Sequence, residues 1–541
     1  MPDLLPKNSP PLSSDSSLPS SELLLRGDKV SLAEWLEVSW FYPEGFRKER
    51  VIETERSWIV LGNTIVYKFL KVPELHSAQR SREQFQARWR LACEEVLDNR
   101  ALAPELYLGL RLLRWVDDEP QWISEKPSAD LNPQRPPADA DDVAIVMRRL
   151  NENGLLHRQL EDLEIGSERF TSAIGARLRM FHRGQRSSAS PTIHDADGIM
   201  YALREQYLER LHQFILTDAS YLDSFSQLAL HEIRGYLGSY FAKNQALFYD
   251  RIKQQQICDG HGSLRADRIC MNDTERGKAL SIFGRLGRND PSRFADELRD
   301  IAALSADIEA RGFPQLATEL EQSYFKGRTH DRTSELYRFY KVAEAVTRAQ
   351  LLFRGKVDDS KVQGTSYLSL AFRLSLKIKG PFLVFLGGTA PEEEVLLAKD
   401  ICELSSSVCL SIEDLPNRMS ELDLPEELLL ESLLDLAAEK LKQQQSVVFC
   451  WPLNREEERI HLASFAERRN IPYLLVQAEH GRSSRVSSEQ ENLKLPRRKI
   501  LGNASSRYTK LPHGYAPQII IEPMLAPADL ALYVLKQIPA A

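Results

Sequence analysis

The stretch from Ile257 to Asn272 constrains this chain more than any other. An apolar pair, Ile257-Cys258, runs through Asp259 and Gly260 into the turn His261-Gly262-Ser263, and a second apolar run, Ile269-Cys270-Met271, leaves it. Two short strands around a tight loop are expected, with Gly262 supplying backbone freedom that other residues lack. The 541 residues around this loop suffice for roughly two to four domains. A hydrophobic share of 43% with 27% charged residues is that of a soluble globular protein. A net charge of −7 argues against a general nucleic-acid or membrane-surface role.

The six cysteines (Cys93, Cys258, Cys270, Cys402, Cys409 and Cys450) are scattered and lack CxxC spacing, which suggests buried, reduced thiols in a cytoplasmic protein. The histidines form no HExxH and pair with no cysteine, so no His/Cys metal site is expected. No apolar run is long enough to span a bilayer. Residues 1–22 are rich in Ser and Pro and have no basic segment before an apolar core, so a disordered tail is expected there rather than a signal peptide.

The folded part opens with a short helix expected over Ser31 to Val38, with Ser31 as N-cap. Two β-rich runs between Val51 and Lys71 flank Gly62-Asn63, a hairpin signal, and place Lys68 on the opposite face from Tyr67. A helix through Glu83 to Leu102 carries Glu94 and Glu95 and stops before Pro104. A strand follows over Ala144 to Leu150, with a turn at Asn151 to Gly154 that would lead to a second lobe. Helical periodicity dominates residues 158–250, as in Phe170 to His182 and Met200 to Leu216. Leu280 to Gly287 reads as a strand ending at glycine. Helices are expected from Arg293 to Arg311 and from Glu335 to Leu352.

A strand lysine paired with a helix glutamate, followed by a His-containing loop, is how kinase-like folds hold phosphates and an acceptor. Several motifs occur in order: Ile52-Glu53-Thr54 with Ser57-Trp58; Tyr67-Lys68; Asn99-Arg100 with Leu102 to Gly109; Met147-Arg148; His261-Gly262; and Arg293-Phe294 with Asp296, Asp300-Ile301-Ala302 and Asp307. Through them the chain, over about residues 50–540, resembles the bacterial bifunctional family that joins an aminoglycoside-phosphotransferase-like domain to a P-loop ATP-binding domain. The resemblance implies Lys68 as the phosphate-gripping lysine and Glu95 as its partner. It places the family's catalytic Asp at Ser263, its metal-binding Asn at Arg268, its second metal-binding Asp at Gly284, and a further acidic residue at Gly287.

These departures remove chemistry. Phosphoryl transfer in such folds depends on positioning and on Mg²⁺, and the metal needs oxygen ligands. Gly284 has no side-chain oxygen, and Arg268 offers donors only. Arg268 would repel Mg²⁺ and could instead meet phosphate directly. Asp259, Asp267 and Asp290 are the neighbours available as substitute acids.

Further on, Gly380 to Ala398 reads as a buried strand, a glycine turn at Gly387-Gly388 and a helix, which is P-loop geometry. Where a working loop ends in Gly-Lys-Ser/Thr, this one reads Glu393-Glu394-Val395. Thr389 and Glu392 make a capping-box pattern, and the acidic first turn would oppose a docked phosphate. Strands over Ser446 to Trp451, Tyr473 to Gln477 and Gln518 to Glu522, with helices over Glu426 to Gln443 and Glu456 to Arg469, predict a three-layer α/β domain. Arg482 to Arg498 reads as a solvated loop.

The sequence thus predicts a disordered tail over 1–22 and an α+β, two-lobed protein-kinase-like (aminoglycoside phosphotransferase-like) domain, with an N-lobe over 23–150 and a helical C-lobe over 151–355. A degenerate α/β P-loop-kinase-like domain follows over 356–541. The expected function is that of a cytoplasmic pseudokinase-like binding or regulatory protein, catalytically impaired in both domains. Its degenerate positions are Ser263, Arg268 and Gly284. Lys68, Glu95, His261 and Arg268 are the candidates for nucleotide binding, with ATP held without Mg²⁺ as the cofactor to test and no metal site. A protein partner is expected, and neither nucleic acid nor membrane. The alternative is an atypical ATP-dependent small-molecule or protein phosphotransferase built on Lys68, Glu95 and displaced acids.

Overall fold

Strand-forming residues such as Val60, Val66, Tyr67, Phe69, Ile145 and Val146 are fully buried in the computed structural model of the chain. It describes residues 32–71, 81–117, 119–161, 167–186, 196–274, 277–288, 290–328, 334–355, 358–376, 381–388, 391–405, 407–415, 425–453, 455–478, 518–521 and 527–538. The tail over 1–22, Ser31 and the Arg482–Arg498 segment lie outside these residues. The chain divides into two compact units. One comprises residues 1–167, 177–189 and 258–295, and the other residues 168–176, 190–257 and 296–541.

The first unit is built on a six-stranded antiparallel sheet. Its strands are β1 (Lys48–Glu53), β2 (Ser57–Gly62), β3 (Ile65–Leu70), β4 (Tyr107–Val116), β5 (Glu119–Trp122) and β6 (Asp142–Arg148), in the order β1-β2-β3-β6-β4-β5. The Gly62-Asn63 hairpin forms as expected, with Tyr67 opposite Val60 and Lys68 opposite Ile59. The earlier β-rich run is itself a hairpin. Thr54 and Ser57 exchange side-chain and backbone hydrogen bonds and turn β1 back onto β2.

Strand alternation then sorts the two faces. Tyr67 and Phe69 point into a cluster with Trp35, Tyr42, Val60 and Val146. Leu70, on the other face with Lys68, packs where the helix Arg82–Arg100 lies through Phe85, Trp89 and Val96. That helix is started by a capping box in which Ser81 accepts from the Gln84 backbone and Gln84 reaches back.

The same unit holds β7 (Ile257–Asp259), β8 (Ile269–Thr274), β9 (Gly277–Ile282) and β10 (Phe294–Asp296), although Ile257 and Asp296 fall just across the division. The pair β8–β9 is antiparallel. The expected helix from Arg293 is shorter at its start than the sequence suggests. Asp290 caps a single turn at Pro291–Arg293, β10 follows, and the helix proper runs Leu298–Ala310. Pro291 and the buried Arg293 explain the delay, because the chain must first deliver the Arg293 guanidinium inward.

In the second unit the helix Glu335–Phe353 is buried along most of its length and packs against Leu298–Ala310 and Asp358–Ser375. Lys341 is buried there between Glu309 (2.7 Å) and Glu321 (3.0 Å). Met200 to Leu216 is helical throughout, with a π-turn at Glu205–Glu209 between two α-helical parts.

The unit's five-stranded parallel sheet contains β11 (Leu383–Gly388), β12 (Val408–Leu410), β13 (Val447–Cys450), β14 (Tyr473–Ala478) and β15 (Gln518–Ile521), in the order β12-β13-β11-β14-β15. Leu383, Phe385, Val447, Phe449 and Leu475 face the helices Glu426–Lys442 and Glu456–Glu467, while the helix Pro391–Ser405 covers the opposite face. The short edge strand β12 and the helix Pro527–Gln537 add to the elements read from sequence. Among the described residues, no helix is long and apolar enough to cross a membrane.

The expectation of uniformly buried, scattered thiols is corrected. Cys93, Cys258 and Cys270 are buried, but Cys409 is exposed on the edge strand β12. The sheet also brings the Cys409 sulfur within 3.8 Å of the Cys450 sulfur.

Candidate functional site

The Lys68 ammonium sits on the helix-covered face of β3 and meets both oxygens of Glu95, at 2.7 and 2.9 Å. The two side chains retain only 13% and 20% exposure, so the pair is largely shielded from water and held in one geometry. The next helical turn continues the site. Asn99 donates to the Glu95 carbonyl (2.8 Å) and accepts from the Arg285 backbone N–H (3.0 Å), which ties the helix to the segment after β9.

The His261 loop is fixed from two sides. The His261 ring is fully buried, with Nε2 3.0 Å from the Phe283 carbonyl and Nδ1 facing the Ser263 backbone N–H at 3.4 Å. These contacts suit a neutral imidazole that donates from Nε2 and accepts at Nδ1. The loop's own carbonyl at His261 accepts from Leu286. Gly262 adopts φ +80°, and a Cβ there would lie 2.9 Å from Leu286 and 3.1 Å from the Arg293 backbone. Glycine is therefore required by both conformation and space.

Arg268 is 1% exposed and donates from Nη1 to the carbonyl of Gly284. Gly284 has φ +76°, and a Cβ at that position would meet Arg268 Nη1 at 3.2 Å and Cδ at 3.4 Å. The guanidinium thus occupies the space beside Gly284 where a carboxylate would have to reach. Tyr107, fully buried, accepts from the Gly284 backbone N–H, with Glu95 and Arg268 as its charged neighbours. Burial and the Glu95 charge push its hydroxyl well above the usual tyrosine range.

The three neighbouring acids considered as substitutes are engaged elsewhere. Asp259 is held by Arg285 (2.8 Å) and by both ends of the Arg293 guanidinium. Asp267 pairs with Arg265 at 2.8 Å. Asp290 caps the turn at Ser292. Arg293 also reaches Asp98, which takes a second arginine, Arg288, at 2.8 Å. Burial pushes the Asp98 carboxyl up, but the hydrogen bonds from Arg293 and Arg288 outweigh it and hold its pKa below the usual carboxylate value. Burial lowers the Arg293 pKa and the two carboxylates raise it, with a net rise.

The structure therefore brings Glu95, Arg268 and Gly284 around Tyr107, with Lys68 paired to Glu95, and ties His261 to the same segment through Phe283. The residues that sequence reasoning missed are Asp98, Tyr107, Arg285 and Arg288. Asp98 adjoins one quoted motif and Tyr107 lies within it, without a role assigned to either, but nothing in the linear sequence says that two arginines thirteen and more positions past the loop converge on one helix. Asp296 belongs elsewhere: it is fully buried against Arg251, at 2.7 Å, in the second unit.

In the parallel sheet, β11 ends at Gly387-Gly388 and the helix Pro391–Ser405 comes closely after it. Gly387 is packed so tightly that a Cβ would lie 1.9 Å from the Trp451 carbonyl. Thr389 lies outside the described residues, as do the side chains of Glu392 and Glu393, so the capping-box expectation has no structural counterpart here. Glu394 is half-buried and close enough to raise the Cys450 pKa. Among the described residues, no group of three or more His, Cys, Asp or Glu is arranged to hold a metal ion.

No family model matches the chain. Curated relatives include an uncharacterized protein of Mycobacterium bovis (strain ATCC BAA-935 / AF2122/97) and one of Mycobacterium tuberculosis (strain ATCC 25618 / H37Rv). Each is 25% identical over 283 residues, 51% of this chain. The chain spans about half the length of these relatives, 54%.

Similar solved structures include the GDP complex of an aminoglycoside 2'-phosphotransferase (TM-score 0.33, 14% identity, 60% of this chain and 93% of that one). A choline kinase from Cryptosporidium parvum Iowa II is also similar (0.35, 9%, 61% and 88%), as is a choline/ethanolamine kinase family protein from Mesorhizobium loti (0.31, 11%, 63% and 90%). These are likenesses of outline, and the case for the site rests on its own residues.

Proposed function

We propose that this chain is a pseudokinase-like binding or regulatory protein that keeps a phosphate grip without a magnesium centre. The observation that carries the proposal is Arg268, buried and bound to the Gly284 carbonyl. A fixed cation at that position opposes Mg²⁺ electrostatically and offers no oxygen to coordinate it. Ser263 adds no carboxylate to orient an acceptor hydroxyl, and Asp259, Asp267 and Asp290 are committed to arginines or to a cap. The acidic residue at Glu394 supports loss of phosphate binding at the second, P-loop-like turn.

The test is thermal stability of the full chain with ATP, with and without Mg²⁺, alongside a γ-phosphate transfer assay. The expected result is stabilisation by ATP that Mg²⁺ does not increase, lost in Lys68→Ala, with no transfer. The preformed Lys68–Glu95 pair is the one observation favouring an atypical phosphotransferase. Mg²⁺-dependent transfer abolished by Lys68→Ala would establish that reading in place of the first.

A further inference from the structure

The parallel sheet gathers three of the six cysteines although 48 positions separate the first from the last. Cys402 lies on the helix Pro391–Ser405, Cys409 on the edge strand β12 and Cys450 at the end of β13. In the parallel register Cys409 lies beside Val448, so Cys409, Val448 and Cys450 share the sheet face covered by that helix. The Cys409 sulfur is 3.8 Å from that of Cys450 and within hydrogen-bonding reach of Cys402. Cys409 is the exposed member, and the other two are partly covered.

Two thiols that can donate to one exposed sulfur stabilise that sulfur as the thiolate. The hydrogen bonds from Cys402 and then Cys450 lower the Cys409 pKa against a smaller effect of burial, and the same bonds raise those of Cys402 and Cys450. Glu394 and Asp414 raise Cys450 further, which keeps it a thiol while Cys409 is ionised. An accessible thiolate beside a protonated thiol is the arrangement in which oxidation is site-selective.

We propose that Cys409 is a peroxide-reactive thiolate and Cys450 its resolving thiol. The Cys409 thiolate attacks one oxygen of hydrogen peroxide. The O–O bond breaks, Cys409 becomes a sulfenic acid, and the departing hydroxide takes a proton to become water. The Cys450 sulfur then attacks the sulfenic sulfur. The S–S bond forms as the S–O bond breaks, and the Cys450 proton leaves with the hydroxide as a second water. The two thiols lose two electrons and the peroxide gains them. Closing 3.8 Å to a bond of about 2.05 Å requires the two sulfurs to move toward each other. β12 has three residues and, among the described residues, pairs only with β13. The disulfide would clamp this edge strand beside the Glu394 helix. Nothing in this chemistry depends on nucleotide binding by the first unit.

The experiment uses the full chain, reduced and native. In brief alkylation with iodoacetamide, Cys409 is expected to react on the order of ten-fold faster than Cys93, Cys258 or Cys270. With limiting peroxide, non-reducing peptide mapping is expected to show a Cys409–Cys450 disulfide. In Cys450→Ser the same treatment is expected to leave a Cys409 sulfenic acid that dimedone traps. Equal labelling of all six thiols, a disulfide to Cys402, or no gain in dimedone trapping in Cys450→Ser would each overturn the proposal. The labelling and mapping need no variant, so they decide the matter even if Cys450→Ser does not fold.

Discussion

The Arg268 guanidinium donates to the Gly284 carbonyl from a position that is almost wholly buried. The contact links the segment after the His261 loop to the segment after β9, and each residue accounts for the other. Gly284 leaves room for the guanidinium, and the guanidinium satisfies a carbonyl that a left-handed glycine turns inward. Two residues that look independent in the sequence are therefore one structural unit.

The contact predicts non-additivity. Gly284→Ala places a Cβ at φ +76° and 3.2 Å from Arg268 Nη1, and the backbone strain alone costs about 1–2 kcal/mol. Arg268→Ala leaves the Gly284 carbonyl without this donor and costs about 2 kcal/mol. In the double variant the close contact is gone, so the two effects should sum to less than their separate total by about 0.5 kcal/mol or more. Urea unfolding of the four proteins checks this, and strict additivity would show that the two residues are not coupled.

Lys68 and Glu95 supply a second test. Each partner is mostly shielded, so removing one leaves the other's charge partly buried. Glu95→Gln and Lys68→Met should each lower stability by about 1–3 kcal/mol, and Lys68→Met/Glu95→Gln together should recover part of the loss. Thermal melts without nucleotide measure this. If Lys68→Met leaves the melting temperature unchanged, the pair is not a fixed element of the fold.

Most of the scaffold was legible because its signals are local. Gly62-Asn63 between β-rich runs gave the hairpin, Glu95 and Lys68 fell on facing elements, and strand-then-glycine-then-helix gave β11 and the helix Pro391–Ser405. Arg268 reads from the sequence as a side chain that offers donors only, but its contact with Gly284 depends on a left-handed turn that no spacing reveals. The ionic group of Asp98, Asp259, Arg285, Arg288 and Arg293 was illegible for a different reason. Its members lie on three separate segments, and a charged residue in a sequence reads as solvated unless something specifies its partner. The thiol group was hidden likewise, because the register of β12 against β13, rather than any sequence interval, brings Cys409 to Cys450.

That ionic group makes stability pH-dependent. The Asp98 pKa is lowered in the folded state, so its contribution is fully present above the unfolded value of about 3.9 and is lost as pH falls below it through the folded value. Asp98→Asn removes this dependence and also weakens the hold on Arg293 and Arg288, at a cost of about 2–4 kcal/mol near neutral pH. The difference in stability between wild type and Asp98→Asn should therefore be level from neutral pH down to about pH 5 and shrink below pH 4. Denaturant titrations at a series of pH values measure it. A difference that grows on acidification would mean that Asp98 is not ionised against its arginines.

The last prediction concerns the turn after β11. The packing there is set by backbone. A Cβ on Gly387 would stand 1.9 Å from the Trp451 carbonyl, 2.9 Å from its carbon and 3.0 Å from the Leu453 nitrogen. None of these atoms is the end of a flexible side chain, so the strand ends of β11 and β13 would have to separate. Trp451 donates its own N–H to the Leu386 carbonyl, and that bond would be strained by the same movement. Gly387→Ala should thus destabilise the parallel sheet by about 3 kcal/mol or more, well beyond an ordinary surface substitution. Hydrogen exchange localises the effect, with loss of protection expected in β11 and β13 and little change in the Lys68 strand. Protection in β11 and β13 equal to that of the wild-type chain would show that the two strand ends are not packed backbone to backbone.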